Sequence, residues 1–356
     1  MKIDERISDS LEWLVNSQDV GTDDGFASHY EVDAGWHASY PEVTGYIIPT
    51  LLRYSKVSDT RQLRKRALRA ANWLISIQNE SGSFQGRLVD ENNPTPVVFN
   101  TGMIIFGLLS AFDETNNETY VRAACKAGDW LVKIQDPTGA WKSFNTINGD
   151  CLHDYHTRVA WALLELYKKT RKEQYLFAAT KNLQHCVTKQ RKNGWFKHTS
   201  LTKKEQSSPL LHFIAYTIRG ILECGLFLND DKLIKHAIES ATQIKQSYER
   251  HGSLFGRYQK DWEPTCEWQC LTGNFQMSII FCKIGKHIKS SEWKQSANEI
   301  FENTVKTSRE LNYSMETLGA VAGSSPLNGP YMKNCFLSWS TKFLLDCYHD
   351  LKMEEV

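Results

Sequence analysis

A tryptophan and a glutamine that stand five residues apart recur along the chain, and this repeat constrains the fold more than any other feature. The pairs are Trp13 and Gln18, Trp73 and Gln78, Trp130 and Gln135, and, with histidine in the first position, His185 and Gln190. A period of about 55 to 60 residues is twice the length of a helix with its turn, so each unit is predicted to be a helix pair. A glycine and an aromatic residue follow each glutamine, which predicts that glycine ends the first helix and the aromatic residue covers the turn.

Each unit continues into a second, more apolar segment. These segments begin near residues 41, 99, 156, 212, 271 and 330, and a Thr-Gly pair lies in three of them, at 44–45, 101–102 and 272–273. Helices that are apolar all round are buried, so the second helices are predicted to form an inner ring and the charged first helices an outer ring. The pattern shows no strand-like alternation. It predicts an all-α (α/α)6 toroid of six helical hairpins, formed by one domain over residues 1–356.

An open solenoid is the alternative architecture, but its repeats are usually shorter, about 34 to 47 residues.

Lysine plus arginine (42) nearly equals aspartate plus glutamate (41), which argues against nucleic acid or an anionic membrane as a partner. The first ten residues do not form a signal peptide, and no apolar run is long enough to suggest membrane insertion. Nine cysteines, an odd number, suit free thiols in a reducing compartment, so a cytoplasmic location is expected.

Long polar segments precede four of the inner helices, at residues 33–42, 145–156, 262–269 and 323–331. Because all of them lead into inner helices, they are expected to converge at one end of the ring. Functional residues concentrate in loops carried by a rigid scaffold. The sequence therefore predicts the working site at the end where the inner helices begin.

Three groups of side chains are candidates for that site. His153 and His156 stand three residues apart, as do Tyr155 and Arg158, so each pair can share a helix face. His212, Tyr216 and Arg219 form a stripe along one inner helix. The third group comprises polar residues near the beginnings of inner helices, namely Glu42, Asn100, Glu267, Gln269 and Asn274.

Each candidate also has a purely structural interpretation. His212 could be a core histidine, and Arg219 could form a buried ion pair with an inner-helix carboxylate. Asn100 and Asn274 could cap helices, and Glu42 could brace a neighbouring loop. The combination favours a site, since polar groups on separate inner helices would face one cavity.

No metal or cofactor is expected. Cys266 and Cys270 with a distant histidine do not match a recognised zinc-ligand spacing. Asp230 and Asp231 lack the third acid that would hold a diphosphate through magnesium. The segment 135–141 resembles the repeat of terpene cyclases, a pattern that reports toroid packing rather than activity.

Five segments resemble a family of toroid proteins found with bacterial surface-polysaccharide assembly genes (capsule, O-antigen or exopolysaccharide). They are PEVTGYIIPTLL (41–52), HFIAYTIRGILE (212–223), CLTGNFQM (270–277), PLNGPY (326–331) and SWSTKFLLD (338–346). The family is similar to polysaccharide lyases that cleave uronic-acid-containing chains. The chain departs from the family pattern at Ser338, where asparagine is expected, and at Asn100, where aspartate is common; the second difference removes a charge expected in the cavity.

The resemblance implies β-elimination on an acidic polysaccharide or oligosaccharide, which requires a base, a proton donor and a group that neutralises the uronate carboxylate. We expect His156 or His212 as base, Tyr216 or Tyr155 as proton donor, and Arg158 or Asn274 as carboxylate clamp, with Arg219 beneath them. The substrate-binding set would be completed by His153 and by Lys333 beside Tyr331. Trp36, Trp268 and Tyr331 would offer flat surfaces to sugar rings.

Three alternatives remain at this stage. A glycoside hydrolase on the same toroid would use two carboxylates about 5 to 9.5 Å apart, chosen from Glu42, Asp154 and Glu267. A uronate C5-epimerase would share the proton abstraction of the lyase. A non-catalytic glycan-binding protein would keep the aromatic surfaces without turnover.

Overall fold

The computed structural model describes residues 4–57, 62–92, 94–145 and 152–353. Within them the chain alternates between an outer and an inner set of helices. The outer helices are α1 (Glu5–Asp19), α3 (Leu63–Ser76), α5 (Glu118–Ile134), α7 (Glu173–Val187), α9 (Asp231–His251) and α11 (Ser291–Leu311). The inner helices are α2 (Pro41–Tyr54), α4 (Val98–Thr115), α6 (Thr157–Thr170), α8 (Leu211–Leu228), α10 (Leu271–His287) and α12 (Ser338–Tyr348). Residues 146–151 of the predicted loop 145–156 lie outside the described residues.

The inner helices close into a ring. Each packs on the next in chain order, and α12 packs on both α2 and α1. The closing contact includes hydrogen bonds from Thr50 Oγ1 to Asp346 Oδ1 (2.7 Å) and from the Tyr54 hydroxyl to the Leu345 carbonyl (2.8 Å). The predicted all-α (α/α)6 toroid is therefore confirmed, and the open solenoid is wrong.

The repeated glutamine joins neighbouring outer helices. The side-chain amide of Gln135 donates to the Gly139 carbonyl in its own turn (3.0 Å) and to the Ala178 carbonyl of α7 (2.9 Å). Gln78 makes the same pair of bonds to Gly82 and to Ala123 of α5, both 2.9 Å. Buried carbonyl groups need donors, and this amide satisfies two of them at once. The repeat is thus a structural device of the outer ring.

Replacing Gln135 with alanine is expected to lower the free energy of unfolding by about 1–2 kcal/mol, because two partly buried hydrogen bonds between neighbouring outer helices are lost, although the Gly139 carbonyl keeps the bond from the Asn182 amide (3.0 Å). Urea denaturation measures this loss. Gln295 on α11 is the matched control, since among the described residues its amide bonds only to Glu299 on the exposed face of the same helix. Equal stability of the two alanine variants would contradict the proposed role of the repeat.

The repeated glycines lie in turns rather than at the ends of helices, contrary to the sequence prediction for most units. Gly139 has φ +89°, and a Cβ there would lie 2.3 Å from the Lys181 carbonyl oxygen of α7. Gly319 has φ +80°, and a Cβ there would lie 2.3 Å from the Asp9 carbonyl oxygen of α1. The same close contact therefore occurs where the outer ring closes. Gly252 alone among the cited glycines follows its helix directly, as the C-cap of α9. A side chain at Gly139 or Gly319 would separate the adjacent outer helices.

The Thr-Gly pairs have separate structural roles. Thr44 and Thr101 accept hydrogen bonds from the backbone amides of Phe26 (2.9 Å) and Phe84 (3.0 Å), which anchors the aromatic residue after each outer helix. A Cβ at Gly45 would lie 2.6 Å from the Ile104 Cα of α4. The glycine therefore lets adjacent inner helices approach closely.

In the described part of the chain, five short strands connect the loops at the beginnings of the inner helices, and the sequence pattern did not predict them. They are β1 (His29–Glu31), β2 (Gly35–Trp36), β3 (Gln269–Cys270), β4 (Ser324–Ser325) and β5 (Cys335–Leu337). They form two small antiparallel sheets in the orders β2-β1-β5 and β3-β4. The pairing of β1 with β5 joins the loop before the first inner helix to the segment before the last.

One helix in the described part of the chain, α8, is long and apolar enough to span a membrane by length and composition. The sequence-based expectation that no apolar segment is long enough to span a membrane was therefore wrong. In the structure α8 is an inner helix of the ring, and 72% of its apolar window is buried inside the protein. Its hydropathy is that of a core helix.

Candidate active site

A cavity of about 290 Å³ opens at the end of the ring where the inner helices begin. Its walls come from the first turns of α2, α4, α8 and α12 and from the loops around them. The lining residues are mostly aromatic or polar: Tyr40, Glu42, Tyr46, Arg87, Val97, Phe99, Asn100, Asn145, Tyr155, Leu201, His212, Phe213, Tyr216, Tyr331, Met332 and Trp339. Aromatic walls with a few converging polar groups are typical of small-molecule sites.

Glu42 is the one carboxylate that lines this cavity among the described residues. It lies in the first turn of α2, which begins at Pro41, and is 9% exposed. Burial raises the pKa of its carboxyl group to about 7, while a hydrogen bond with Tyr40 and the charge of Arg158 act in the opposite direction. The Asn100 amide donates to the Tyr40 hydroxyl (3.3 Å). Glu42 is therefore positioned as an acid that can hold or release a proton near neutral pH.

Arg158 lies behind Tyr216 and lines a second pocket with Arg219 and Asp346 rather than the cavity itself. Its guanidinium carbon is 4.6 Å from the ring centroid of Tyr216 and 5.4 Å from that of Trp161. Among the described residues its Nε and Nη1 atoms have no hydrogen-bond partner. Burial lowers the pKa of Arg158 and raises that of Tyr216. Tyr216 thus carries its proton at ordinary pH, and Arg158 is a buried positive charge behind it.

His212 faces the cavity as a hydrogen-bond donor. The Gln276 amide nitrogen donates to His212 Nδ1 (2.6 Å) and also to the Thr272 carbonyl (3.3 Å). The second bond identifies that atom as nitrogen, because an amide oxygen would repel the carbonyl. With Nδ1 accepting, the proton of the neutral ring resides on Nε2. Burial, followed by the charge of Arg158, lowers the pKa of His212 to about 3.

We expect nitrogen NMR of labelled histidine to show His212 as a neutral Nε2–H imidazole from pH 8 down to about pH 4. A pKa lowered to about 3 means that protonation begins only below that range. The Gln276→Leu variant should lose the tautomer preference, since it removes the donor to Nδ1. Protonation of His212 near pH 6.5 would contradict this assignment.

The structure brings six of the sequence-predicted site residues together. Glu42, Asn100, Tyr155, His212, Tyr216 and Tyr331 line the cavity, and Arg158 lies beneath them in contact with Tyr216. Tyr331 accepts a hydrogen bond from the Trp339 indole (3.1 Å), and its ring centroid is 5.9 Å from that of His212. These residues form one continuous surface.

His156 does not line this cavity. It ends a single 3-10 turn, Asp154–His156, and its ring packs edge-on against Trp141 (5.8 Å) in a separate pocket of about 10 Å³. His153, whose Nδ1 contacts the Ser200 carbonyl (2.9 Å), and Asp154 line the same small pocket. The prediction that His156 serves as base at a common site therefore has no geometric support.

Asp154 cannot form the carboxylate pair considered for hydrolysis with Glu42, because it lies in this separate pocket. There its Oδ2 accepts a hydrogen bond from the backbone amide of His198 (2.7 Å). Its pKa is raised by burial to about 6.

The remaining candidates lie elsewhere. Arg219 pairs with Glu223 on its own helix (3.2 Å), which is the buried ion pair considered as its alternative role. Asn274 donates to Gln269 (3.0 Å) in a cleft between outer helices. Trp36 packs on Trp13 (centroids 4.8 Å apart). Trp268 packs over Gly256, and Glu267 and Lys333 are exposed; none of the three is among the cavity-lining residues.

Several cavity residues were missed by sequence reasoning, including Tyr40, Tyr46, Phe99, Phe213, Arg87 and Trp339. Tyr40 could have been found, because it directly precedes Pro41 at the start of an inner helix. Arg87 lies in a loop with no recognisable motif, so its position depends on the fold. Gln276 was missed as the partner of His212 because the two residues lie on different helices, 64 positions apart.

Metal-ligating side chains do not cluster in the cavity among the described residues, and Cys266 and Cys270 belong to no such cluster. The expected absence of a cofactor remains a prediction.

Comparison with known proteins finds a partial match to one family model and a likeness to several solved toroid structures. Residues 82–248 match the family model of the β-L-arabinofuranosidase GH127 catalytic domain. A search of curated protein sequences finds no significant match.

Among solved structures, the chain is similar to an unsaturated glucuronyl hydrolase specific for heparin, with TM-score 0.79, 14% identity, and coverage of 99% of this chain and 97% of that one. It is similar to cellobiose 2-epimerase from Bacillus thermoamylovorans (TM-score 0.75, 13% identity, 96% and 97% covered). A D-mannose isomerase gives TM-score 0.75 at 11% identity, with 99% and 97% covered. At these identities the structural likeness shows the fold.

Proposed function

We propose that this protein is a glycoside hydrolase that removes an acidic sugar from the end of a short glycan, with Glu42 as proton donor. The observation that carries the proposal is the buried Glu42 carboxyl, whose pKa is raised to about 7, facing an aromatic cavity. A carboxylic acid that keeps its proton near neutral pH is suited to protonating a leaving oxygen.

The chemistry requires one proton donor and one water molecule. Glu42 would give its proton to the glycosidic oxygen as the bond from that oxygen to the anomeric carbon breaks. Water would then add to the anomeric carbon and return a proton to the Glu42 carboxylate. The His212 Nε2–H and the Asn100 amide would hold sugar hydroxyl groups, since both are donors at the cavity wall.

The second carboxylate of the usual glycosidase pair is not among the described cavity residues. Glu267 is exposed and Asp154 lies in another pocket. Of the three carboxylates predicted for a hydrolase, Glu42 alone lines the cavity among the described residues. Protonation and deprotonation would have to be carried out by this one group.

An acidic substrate is supported by charge and by one of the structural neighbours. Arg87 lies at the cavity wall, where it also pairs with Glu91 (3.2 Å), and Arg158 lies behind Tyr216, so both arginines place positive charge near the site. The neighbour with TM-score 0.79 is a hydrolase of unsaturated glucuronyl groups. Tyr331 and Trp339 offer flat surfaces to a sugar ring. About 290 Å³ is near the lower limit of ligand pockets, roughly 300 Å³, which favours the end of a glycan over the middle of a polysaccharide.

A polysaccharide lyase is the second candidate, favoured by the phenol groups beside Glu42. In a lyase the Glu42 carboxylate, formed above pH 7, would remove the C5 proton, and Tyr40 or Tyr216 would protonate the leaving oxygen. His212 would not be the base, because its Nδ1 already accepts a hydrogen bond. The association with surface-polysaccharide genes, suggested by the sequence resemblance, stays a prediction for either reaction.

The two reactions are separated by incubating the protein with oligosaccharides that end in saturated or unsaturated uronate, and with neutral arabinofuranosides. For the hydrolase we expect new reducing ends on acidic substrates, with loss of ultraviolet absorbance when the removed uronate is unsaturated. A rise of that absorbance on saturated uronate chains would establish the lyase instead. Solvent-hydrogen exchange at C5 without cleavage would indicate the epimerase, and no turnover on any acidic glycan would contradict the proposal.

A further inference from the structure

Four side chains able to bind a metal ion share one face of the sheet β2-β1-β5, outside the cavity. His29 and Glu31 are two residues apart on β1, so they point to the same side. Cys335 on β5 is the direct cross-strand partner of Glu31. His37 follows β2, and its backbone amide bonds to the His29 carbonyl (3.0 Å). The potential ligand atoms of His29, Glu31 and Cys335 all lie within 4.8 Å of one another.

We propose that His29, Glu31 and Cys335 bind a zinc ion, with His37 as a positioning residue for the Glu31 carboxylate. An imidazole, a thiolate and a carboxylate are all zinc ligands, and the thiolate favours zinc over magnesium or calcium. Donors around a tetrahedral zinc ion lie about 3.5 Å apart. The three ligand atoms, which lie within 4.8 Å of one another, would have to approach by about 1 Å at most to reach this spacing.

The surroundings of the three ligands fit this role. The Ser28 hydroxyl is hydrogen-bonded to His29 Nδ1, which orients the ring and leaves Nε2 for the metal. His37 Nε2 lies 2.9 Å from Glu31 Oε2, the histidine–carboxylate contact expected around a ligating carboxylate. The Cys335 thiol donates to the Lys333 carbonyl (3.2 Å) and would release its proton to solvent when zinc binds.

The position of the site gives it a consequence for the ring. β1 precedes the first inner helix and β5 leads directly into the last, so one ion would join the two ends of the toroid. The His29 ring centroid is 6.5 Å from that of Trp339, a cavity-lining residue two positions after β5. Zinc would therefore stabilise the segment that carries one wall of the cavity. This inference does not depend on which reaction the cavity performs.

The experiment uses the full-length protein after removal of metal with a chelator. Zinc is added in increments and counted by mass spectrometry after dialysis, and cobalt(II) serves as a spectroscopic stand-in. For the wild type we expect one equivalent of zinc, a thiolate-to-cobalt charge-transfer band, and a rise in Tm with zinc. For Cys335→Ser and His29→Ala we expect an affinity loss of about 100-fold or more and no charge-transfer band from the serine variant.

The matched control is Cys266→Ser, which removes a half-buried thiol outside the cluster and should keep the wild-type behaviour. Circular dichroism and Tm of the metal-free proteins show whether each variant folds. Should His29→Ala fail to fold, the surface variant Glu31→Gln tests the same site. Retention of the cobalt band in Cys335→Ser would overturn the proposal. It would also be overturned if the wild type bound no more zinc than Glu31→Gln.

Discussion

Replacement of Glu42 by glutamine is expected to lower kcat/KM by about 10²- to 10⁴-fold, the range usual for loss of a general acid. Glutamine keeps the size and the hydrogen bond to Tyr40 but has no proton to transfer. The control is Glu267→Gln, which changes an exposed carboxylate outside the cavity and should leave kcat/KM within about twofold.

The pH dependence of the wild type provides a second readout of the same group. Because burial raises the pKa of Glu42 to about 7, the active protonated form predominates below pH 7 and is lost above it. We expect kcat/KM to fall about tenfold per pH unit above pH 7 and to be level below it down to the pH where the protein unfolds. The residual activity of Glu42→Gln should lack this decline. A profile that rises through pH 7 would instead indicate Glu42 acting as a base.

The largest expected effect on stability is that of Asp346→Asn. Asp346 on α12 receives hydrogen bonds from Thr50 (2.7 Å) and Lys342 (2.5 Å) at the contact that closes the ring. Lys342 is 5% exposed, and burial already lowers its pKa to about 8. Removing the negative charge leaves this ammonium group buried without its partner, which costs about 3–5 kcal/mol.

Urea denaturation at pH 7 tests this expectation through the free energy of unfolding. Asp113→Asn is the matched control, because Asp113 pairs with Lys169 (2.6 Å) but its side chain is half exposed. The control should lose less than about 1 kcal/mol. If the two variants were equally stable, the closing contact would not depend on the buried ion pair.

The architecture could be predicted from the sequence because the same contacts between neighbouring helices recur in successive helix pairs. The glutamine at the end of an outer helix must reach the next outer helix, and the glycine of an inner helix must let its neighbour approach, so both leave a regular trace. The short strands left no such trace. Their two or three residues are too few to show an alternating pattern.

The candidate site was predicted less completely, because the direction of a side chain depends on where a helix begins. Tyr155 and His156 are adjacent, yet Tyr155 lines the cavity and His156 faces a separate pocket beside α7. The 3-10 turn that precedes Thr157 sets this orientation, and residue spacing alone does not reveal it. Glu42 was identified as a candidate, but its raised pKa depends on burial by residues distant in sequence.

The most direct test is a crystal structure of Glu42→Gln with a uronate-terminated oligosaccharide. The account predicts a sugar residue in the cavity between Tyr331 and Tyr216, with its glycosidic oxygen within about 3.2 Å of the side-chain amide that replaces the Glu42 carboxyl group. Sugar bound instead in the cleft around Asn274, or at the opposite end of the ring near Arg219, would contradict it.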